Sequence, residues 1–225
     1  QVKSFVNPTV TLTAVASPNA ERSTVVQEQA TLDNEMTLVN APIPDISEEG
    51  ASELRGNAES VLTSGFQDIS NSLVDDFSLN DILRIILETM YRAIGFKRVL
   101  LCLKDVRSGT MSGRFGFGPD TAEIVKAFKF PLAYAPNVFH LASAKGPDTL
   151  IADIDDPKIA EKIPDWYRKS VPARTFVLLP LNIKGVPVAM IYCDMDKPGS
   201  IVISERELQL LKTLRNQAVL AIKQA

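Results

Sequence analysis

Only one histidine, two cysteines and one tryptophan occur among the 225 residues, and the 24 Lys and Arg residues do not outnumber the 27 Asp and Glu. A zinc site finds too few ligands here, because it needs several His and Cys side chains at short spacing. The net charge of −3 offers no broad phosphate-binding surface, so nucleic acid is not an expected partner. Cys102 and Cys193 lie far apart in apolar, strand-like runs without a CxxC pair, which argues against a disulfide framework and fits a reducing compartment. No apolar run approaches the roughly 20 residues that span a bilayer, and the first residues form neither a charged leader nor an apolar secretory stretch. A cytoplasmic chain without a membrane partner is expected. Because it begins at Gln1 rather than Met, it reads as a piece of something longer.

What is present is enough apolar material, 45% of the residues, for one core. Residues 1–52 mix Thr, Ser, Val, Pro and Glu without sustained periodicity, and the stretch Ala41-Pro-Ile-Pro-Asp45 is stiff, so this part reads as an extended, poorly ordered linker. Over 53–76, Leu54, Ala58, Val61, Leu62, Phe66, Ile69 and Leu73 recur at spacings near three and four, which predicts an amphipathic lead-in helix. The remainder, 77–225, is one domain.

Within it, Ser78 caps a helix with the apolar face Ile82, Ile86, Met90 and Ile94, and Gly95 stops it. The apolar run 98–103, the turn at Arg107-Ser-Gly109 and the stretch 110–118 predict a hairpin. Pro119 predicts the first position of a short helix, and 128–132 a strand. A helical turn over 137–144, a short strand at 149–152 and a helix start at Asp156-Pro157 follow. Strands at 175–183 and 186–194 meet at Lys184-Gly185. Last, Ser204 and Glu207 form a capping box, Ile203 can staple to Leu208, and Leu208, Leu211, Leu214, Ala218, Ala221 and Ile222 make the inner face of a C-terminal helix. Pro180 sits inside a strand that otherwise looks central, so a bulge or strand end is expected there.

Tight hairpins demand antiparallel pairing, so the order of elements predicts an α+β domain with helices packed on an antiparallel sheet, preceded by a helical lead-in. The segments Lys97-Arg-Val-Leu-Leu-Cys-Leu-Lys104, Phe176-Val-Leu-Leu-Pro-Leu181, Gly185-Val-Pro-Val-Ala-Met-Ile-Tyr192, Ser204-Glu-Arg-Glu-Leu208 and Gln217-Ala-Val-Leu-Ala-Ile222 resemble the GAF domain in order and flavour. The run 79–91 and Asp165-Trp-Tyr-Arg168 resemble more narrowly the GAF domains found with HDOD domains in bacterial signal-transduction proteins. The resemblance implies a sensor that binds a small molecule over the sheet, or holds a dimer, and so controls an adjacent signalling domain in a longer chain. It also makes Pro180 less unusual, since the family often carries a proline there.

Trp166, Tyr167 and Arg174 fall where GAF domains build a pocket wall, and aromatic faces beside a cation suit a planar or anionic ligand. The alternative is that the two rings seal the core and the arginine is solvated. His140, among Val138, Phe139 and Leu141, can meet a ligand or serve as a structural histidine. Tyr134 lies on the same connection, and Asp153, with Asp155 and Asp156, can offer oxygens there, although a calcium loop would need further ligand positions. Tyr134, His140, Asp153, Trp166, Tyr167 and Arg174 form the candidate ligand-binding set, with no catalytic residue, no metal and no named cofactor. The glycines of 113–118 do not make a dinucleotide fingerprint and read instead as places of close backbone approach.

Neither cysteine has a base or helix N-terminus beside it, and the cysteine set of the GAF-type methionine sulfoxide reductases is missing. The phytochrome attachment cysteine and the Asn-Lys-Phe-Asp-Glu pattern of cyclic-nucleotide domains are missing too. The expected function is non-enzymatic regulation through a small molecule or dimerisation. The alternatives are a dimerisation scaffold whose pocket is filled by its own side chains and, further off, a redox enzyme. A homodimer through the lead-in and C-terminal helices would cover the lead-in's apolar face.

Overall fold

The computed structural model of the chain describes residues 2–4, 57–65, 67–69 and 78–224. In chain order, strand β1 (Val2–Ser4) precedes lead-in helical residues 57–65 and 67–69 and helix α1 (Leu79–Ile94). A hairpin of β2 (Arg98–Asp105) and β3 (Thr110–Phe117) leads to α2 (Thr121–Ala127), β4 (Lys129–Pro131), α3 (Val138–Lys145) and β5 (Thr149–Ile151). A 3-10 turn (Ala160–Lys162) and α4 (Asp165–Ser170) come before a second hairpin, β6 (Thr175–Ile183) and β7 (Val186–Met195), and α5 (Glu205–Gln224).

Every strand pairing is antiparallel, in the order β1-β5-β6-β7-β2-β3-β4. Because side chains alternate along a strand, each central strand feeds two cores. Val99, Leu101, Val177, Leu179, Ile191 and Cys193 face α1, α5 and the lead-in. Leu100, Cys102, Phe176, Leu178, Met190 and Tyr192 face α2, α3 and α4. Leu101 and Leu211 therefore belong to one layer and Phe176, Leu178 and Met190 to the other.

The caps are those the sequence announces. Ser78 Oγ accepts the Asp81 N–H, and Gly95 ends α1 in the left-handed region at φ 70°, where a Cβ would be strained. Ser204 Oγ accepts the Glu207 N–H at 3.2 Å while Glu207 Oε2 accepts the Ser204 N–H at 2.7 Å, a reciprocal box. Three local readings change. Pro119 lies outside α2, whose N-cap is Asp120 in a left-handed conformation. Asp156 starts only a turn, its carboxylate accepting the Lys158 N–H ahead of the 3-10 segment. Pro180 pairs regularly with Met190, and the bulge falls one residue later, at Leu181/Asn182. β5 reaches only to Leu178, so β6 has a flank without a ladder at Pro180, which is where a missing N–H is tolerated.

Among the described lead-in residues, three of the apolar positions are buried within the chain. Ala58 is 6% exposed, and Leu62 and Ile69 are fully buried in the core that α1 and α5 share. A Cβ on Gly65 would fall 2.3 Å from Thr89 Cγ2, so the lead-in approaches α1 there as closely as a glycine allows. Arg206 pairs with Glu59 at 3.0 Å. Residues 5–56, including most of the expected linker, and Leu54, Phe66 and Leu73 lie outside the described residues; 2–4, read as linker, form β1.

Candidate functional site: the aromatic face of the sheet

The face away from α1 and α5 is where a ligand is expected, and its floor is aromatic because β6 and β7 place Phe176 and Tyr192 on it. β3 positions the next layer. Gly113 is so close to α2 that a Cβ would fall 2.5 Å from the Val125 carbonyl oxygen, and its N–H reaches the Phe128 carbonyl. This contact sets Phe128 over Tyr192, ring centroids 4.7 Å apart. α3 adds Phe139, stacked on Phe176 at 5.5 Å with 14° between planes. α4 adds Tyr167, 5.3 Å from Phe139 and 5.0 Å from Phe176. Half-buried Trp166 lies outermost, stacked on Phe130 at 5.9 Å and edge-on to Phe128 at 5.3 Å. Rings in these offset and edge-to-face arrangements make a packed layer. Phe128, Phe139, Tyr167, Phe176 and Tyr192 are all fully buried.

Under the rings runs a buried polar chain. Tyr192 donates to Asp194 Oδ2 at 2.6 Å, and the Tyr167 and Tyr192 oxygens are 2.9 Å apart. A phenol carries one hydrogen, so with that of Tyr192 committed to the carboxylate, Tyr167 is the donor between the two tyrosines. Arg98 Nε lies 3.0 Å from both Asp194 oxygens, and its Nη2 donates to the Pro172 carbonyl. Burial pushes both phenols well above their usual range. Burial also pushes the Asp194 carboxyl up, and Arg98 and Tyr192 draw it back only part of the way.

The six expected site residues fall into three groups. Trp166 and Tyr167 belong to the aromatic layer. Tyr134 is 84% exposed and stands edge-on to His140 at 5.3 Å. His140 Nδ1 is buried and has no partner among the described residues. Arg174 and Asp153 form an ion pair at 2.9 Å, which Asp155 joins at 3.0 Å from Arg174 and Arg168 extends through Asp155. Burial opposes ionisation of Asp153, but the Asp155 N–H and Arg174 outweigh it and hold the carboxyl below its usual range. The cation expected to anchor a ligand is thus engaged with carboxylates.

Sequence reading did not single out Arg98, Tyr192 and Asp194. A signal was available: Met190, Tyr192 and Asp194 share one face of β7, and two polar residues on an otherwise apolar face require buried partners. The two cysteines lie on opposite faces, Cys102 toward the aromatic layer and Cys193 toward the helices, both fully buried with thiols pushed up by that burial.

No family model and no curated protein matches the chain. Solved structures do. The GAF domain from a phosphoenolpyruvate-protein phosphotransferase of Coxiella burnetii is similar at 14% identity and a TM-score of 0.60, over 76% of this chain and 95% of that one. The GAF domain/HD domain protein from Geobacter sulfurreducens is similar at 10% identity and a TM-score of 0.54, over 66% of this chain and 94% of that one. The free methionine-R-sulfoxide reductase from Neisseria meningitidis, in complex with its substrate, is similar at 19% identity and a TM-score of 0.50, over 82% of this chain and 96% of that one. At such identities the likeness speaks to architecture, and the architecture of this chain is the GAF fold.

Proposed function

We propose that the chain is a regulatory signal-transduction module that controls an adjacent output domain through its own packing, with the ligand face of the sheet filled by its own side chains. One observation carries this reading: the rings of Phe128, Phe139, Tyr167, Phe176 and Tyr192 occupy the volume over the sheet and are fully buried. The similar protein from Geobacter sulfurreducens carries a GAF domain together with an HD domain, and this supports a module that acts on an adjacent domain. The module is non-enzymatic and cytoplasmic in this proposal. Two fully buried thiols on opposite faces favour that over thiol redox chemistry, and no described helix is long and apolar enough to cross a membrane.

A homodimer belongs to the proposal with a changed motive. The described lead-in residues Leu62 and Ile69 are covered within the chain, so a dimer through the helices would use what α5 leaves open, Leu220 at 46% exposure with half-buried Val219 and Ile222. Sedimentation reads that directly. A second reading, binding of a small molecule, is favoured by half-buried Trp166, which caps the layer from a helix of only 6 residues.

Native mass spectrometry of freshly purified protein, followed by thermal unfolding across a metabolite and nucleotide screen, separates the two. Self-filling predicts no retained mass and no stabilisation. A ligand at a hundredfold excess over its dissociation constant stabilises by about 2.7 kcal/mol, and that result would replace the self-filled reading with the receptor.

A further inference from the structure

Two side-chain ties between the α4 segment and the sheet end on one ion pair. On one side of α4, Tyr167 donates to Tyr192, which donates to Asp194. On the other, the Pro172 carbonyl, two residues beyond the helix, accepts from Arg98 Nη2 at 3.0 Å. Arg98 and Asp194 face each other in the β2–β7 register, and the Asp194 carbonyl also accepts the Lys97 N–H at 2.9 Å. Lys97 and Arg98 directly follow Gly95 and Phe96, where the chain leaves α1. One residue, Asp194, therefore grips the α4 segment through its side chain and the α1–β2 junction through its backbone.

The pair is a poor choice if stability alone is the purpose. Arg98 and Asp194 are both fully buried, and Arg98 Nη1 finds no acceptor among the described residues. Burying two charges costs about as much as their attraction returns, and an apolar pair of similar volume often does as well or better. What the ion pair supplies that an apolar pair cannot is direction, because the bonds of Arg98 Nε to Asp194 and of Nη2 to the Pro172 carbonyl hold in one arrangement of α4, β2 and β7.

We propose that the Arg98–Asp194 pair couples the docking of α4 on the aromatic face to the α1–β2 junction, so that the two loosen together. The proposal rests on the regulatory reading and deepens it, since α1 joins the lead-in layer and gives a change at the aromatic face a route to the helices. Arg98, Tyr192 and Tyr167 act here as positioning residues.

Amide hydrogen exchange on the full chain tests it. Tyr167→Phe keeps the ring and removes the hydroxyl at the α4 end, and Tyr192 still donates to Asp194, so no buried donor is orphaned. The expected result is exchange at least tenfold faster at 165–171 and, by a similar factor, at 97 and 98, with the amides of α2 and β3 unchanged. Tyr192→Phe should give the same pattern. Faster exchange confined to 165–171, or one common factor across the domain, overturns the coupling. Failure of both variants to fold overturns it too, since a coupling must be separable from folding. The measurement needs neither ligand nor output domain, so its failure leaves the regulatory reading to the ligand screen.

Discussion

Phe139 lies on Phe176 with the ring planes 14° apart, and this contact joins α3 to the centre of the sheet. Phe139 also touches the rings of Phe128, Phe130, Trp166 and Tyr167, so one side chain knits all the covering elements together. Phe139→Ala should destabilise the domain by about 3–5 kcal/mol, read by urea unfolding. The hole it leaves is apolar and should admit a small aromatic such as benzene or indole, which would raise the variant's melting temperature and leave the parent's unchanged. A loss below about 0.5 kcal/mol would place Phe139 outside the core.

The sheet and its flanking helices were legible because each rests on local chemistry. Ser204 and Glu207 announce their helix, Lys184-Gly185 its hairpin, and the runs around Leu101 and Leu178 can only be buried. What was not legible depends on distant pairing. That Leu178 and Leu211 face different layers follows from which side of the sheet each helix takes, and no local signal carries it. The site was half legible. Trp166 and Tyr167 do stand over the sheet, yet whether they line a pocket or fill it is decided by Phe128, Phe130 and Phe139 arriving from other elements. Arg174 looked like an anchor because its partner Asp153 is 21 residues away. The same distance hid Arg98 from Asp194, which are 96 residues apart.

Alkaline pH should unfold the protein through two of its four tyrosines. Burial raises the phenols of Tyr167 and Tyr192, so between the unfolded value, about 10, and the folded value the folded state holds protons that the unfolded state has lost. Their contribution is whole below about pH 10 and declines above it, by about 1.4 kcal/mol per pH unit for each phenol at most. Thermal unfolding from pH 8 to 11.5 should show the melting temperature falling above pH 10, with a shallower fall in Tyr192→Phe. Equal slopes in parent and variant would mean that the phenols are not the cause.

At acid pH the sign reverses for Asp153. Its carboxyl is held below the usual range, so its contribution is present above the unfolded value, about 4, and is lost as pH falls through the folded value. Arg174→Ala removes the cation and should move the Asp153 titration midpoint upward, as followed by carboxyl carbon shifts in NMR. An unmoved midpoint would show that the Asp155 N–H alone sets it. The variant should fold normally, because an ion pair this exposed adds little to stability.

The cysteines offer the sharpest test of whether thiol chemistry has any place here. A thiol reacts as the thiolate, and both Cys102 and Cys193 are fully buried with burial pushing their ionisation upward. They also face opposite sides of the sheet, so no movement short of unfolding brings them together as a redox pair. Ellman's reagent at pH 8 should therefore leave both unmodified in the native chain and label two thiols per chain in denaturant. In intermediate urea the labelling rate should follow the unfolded fraction, because the thiols become reachable only in open molecules. Rapid native labelling of either one, with the spectrum of the folded protein retained, would reveal an accessible thiolate that the packing forbids and would return the redox enzyme to consideration.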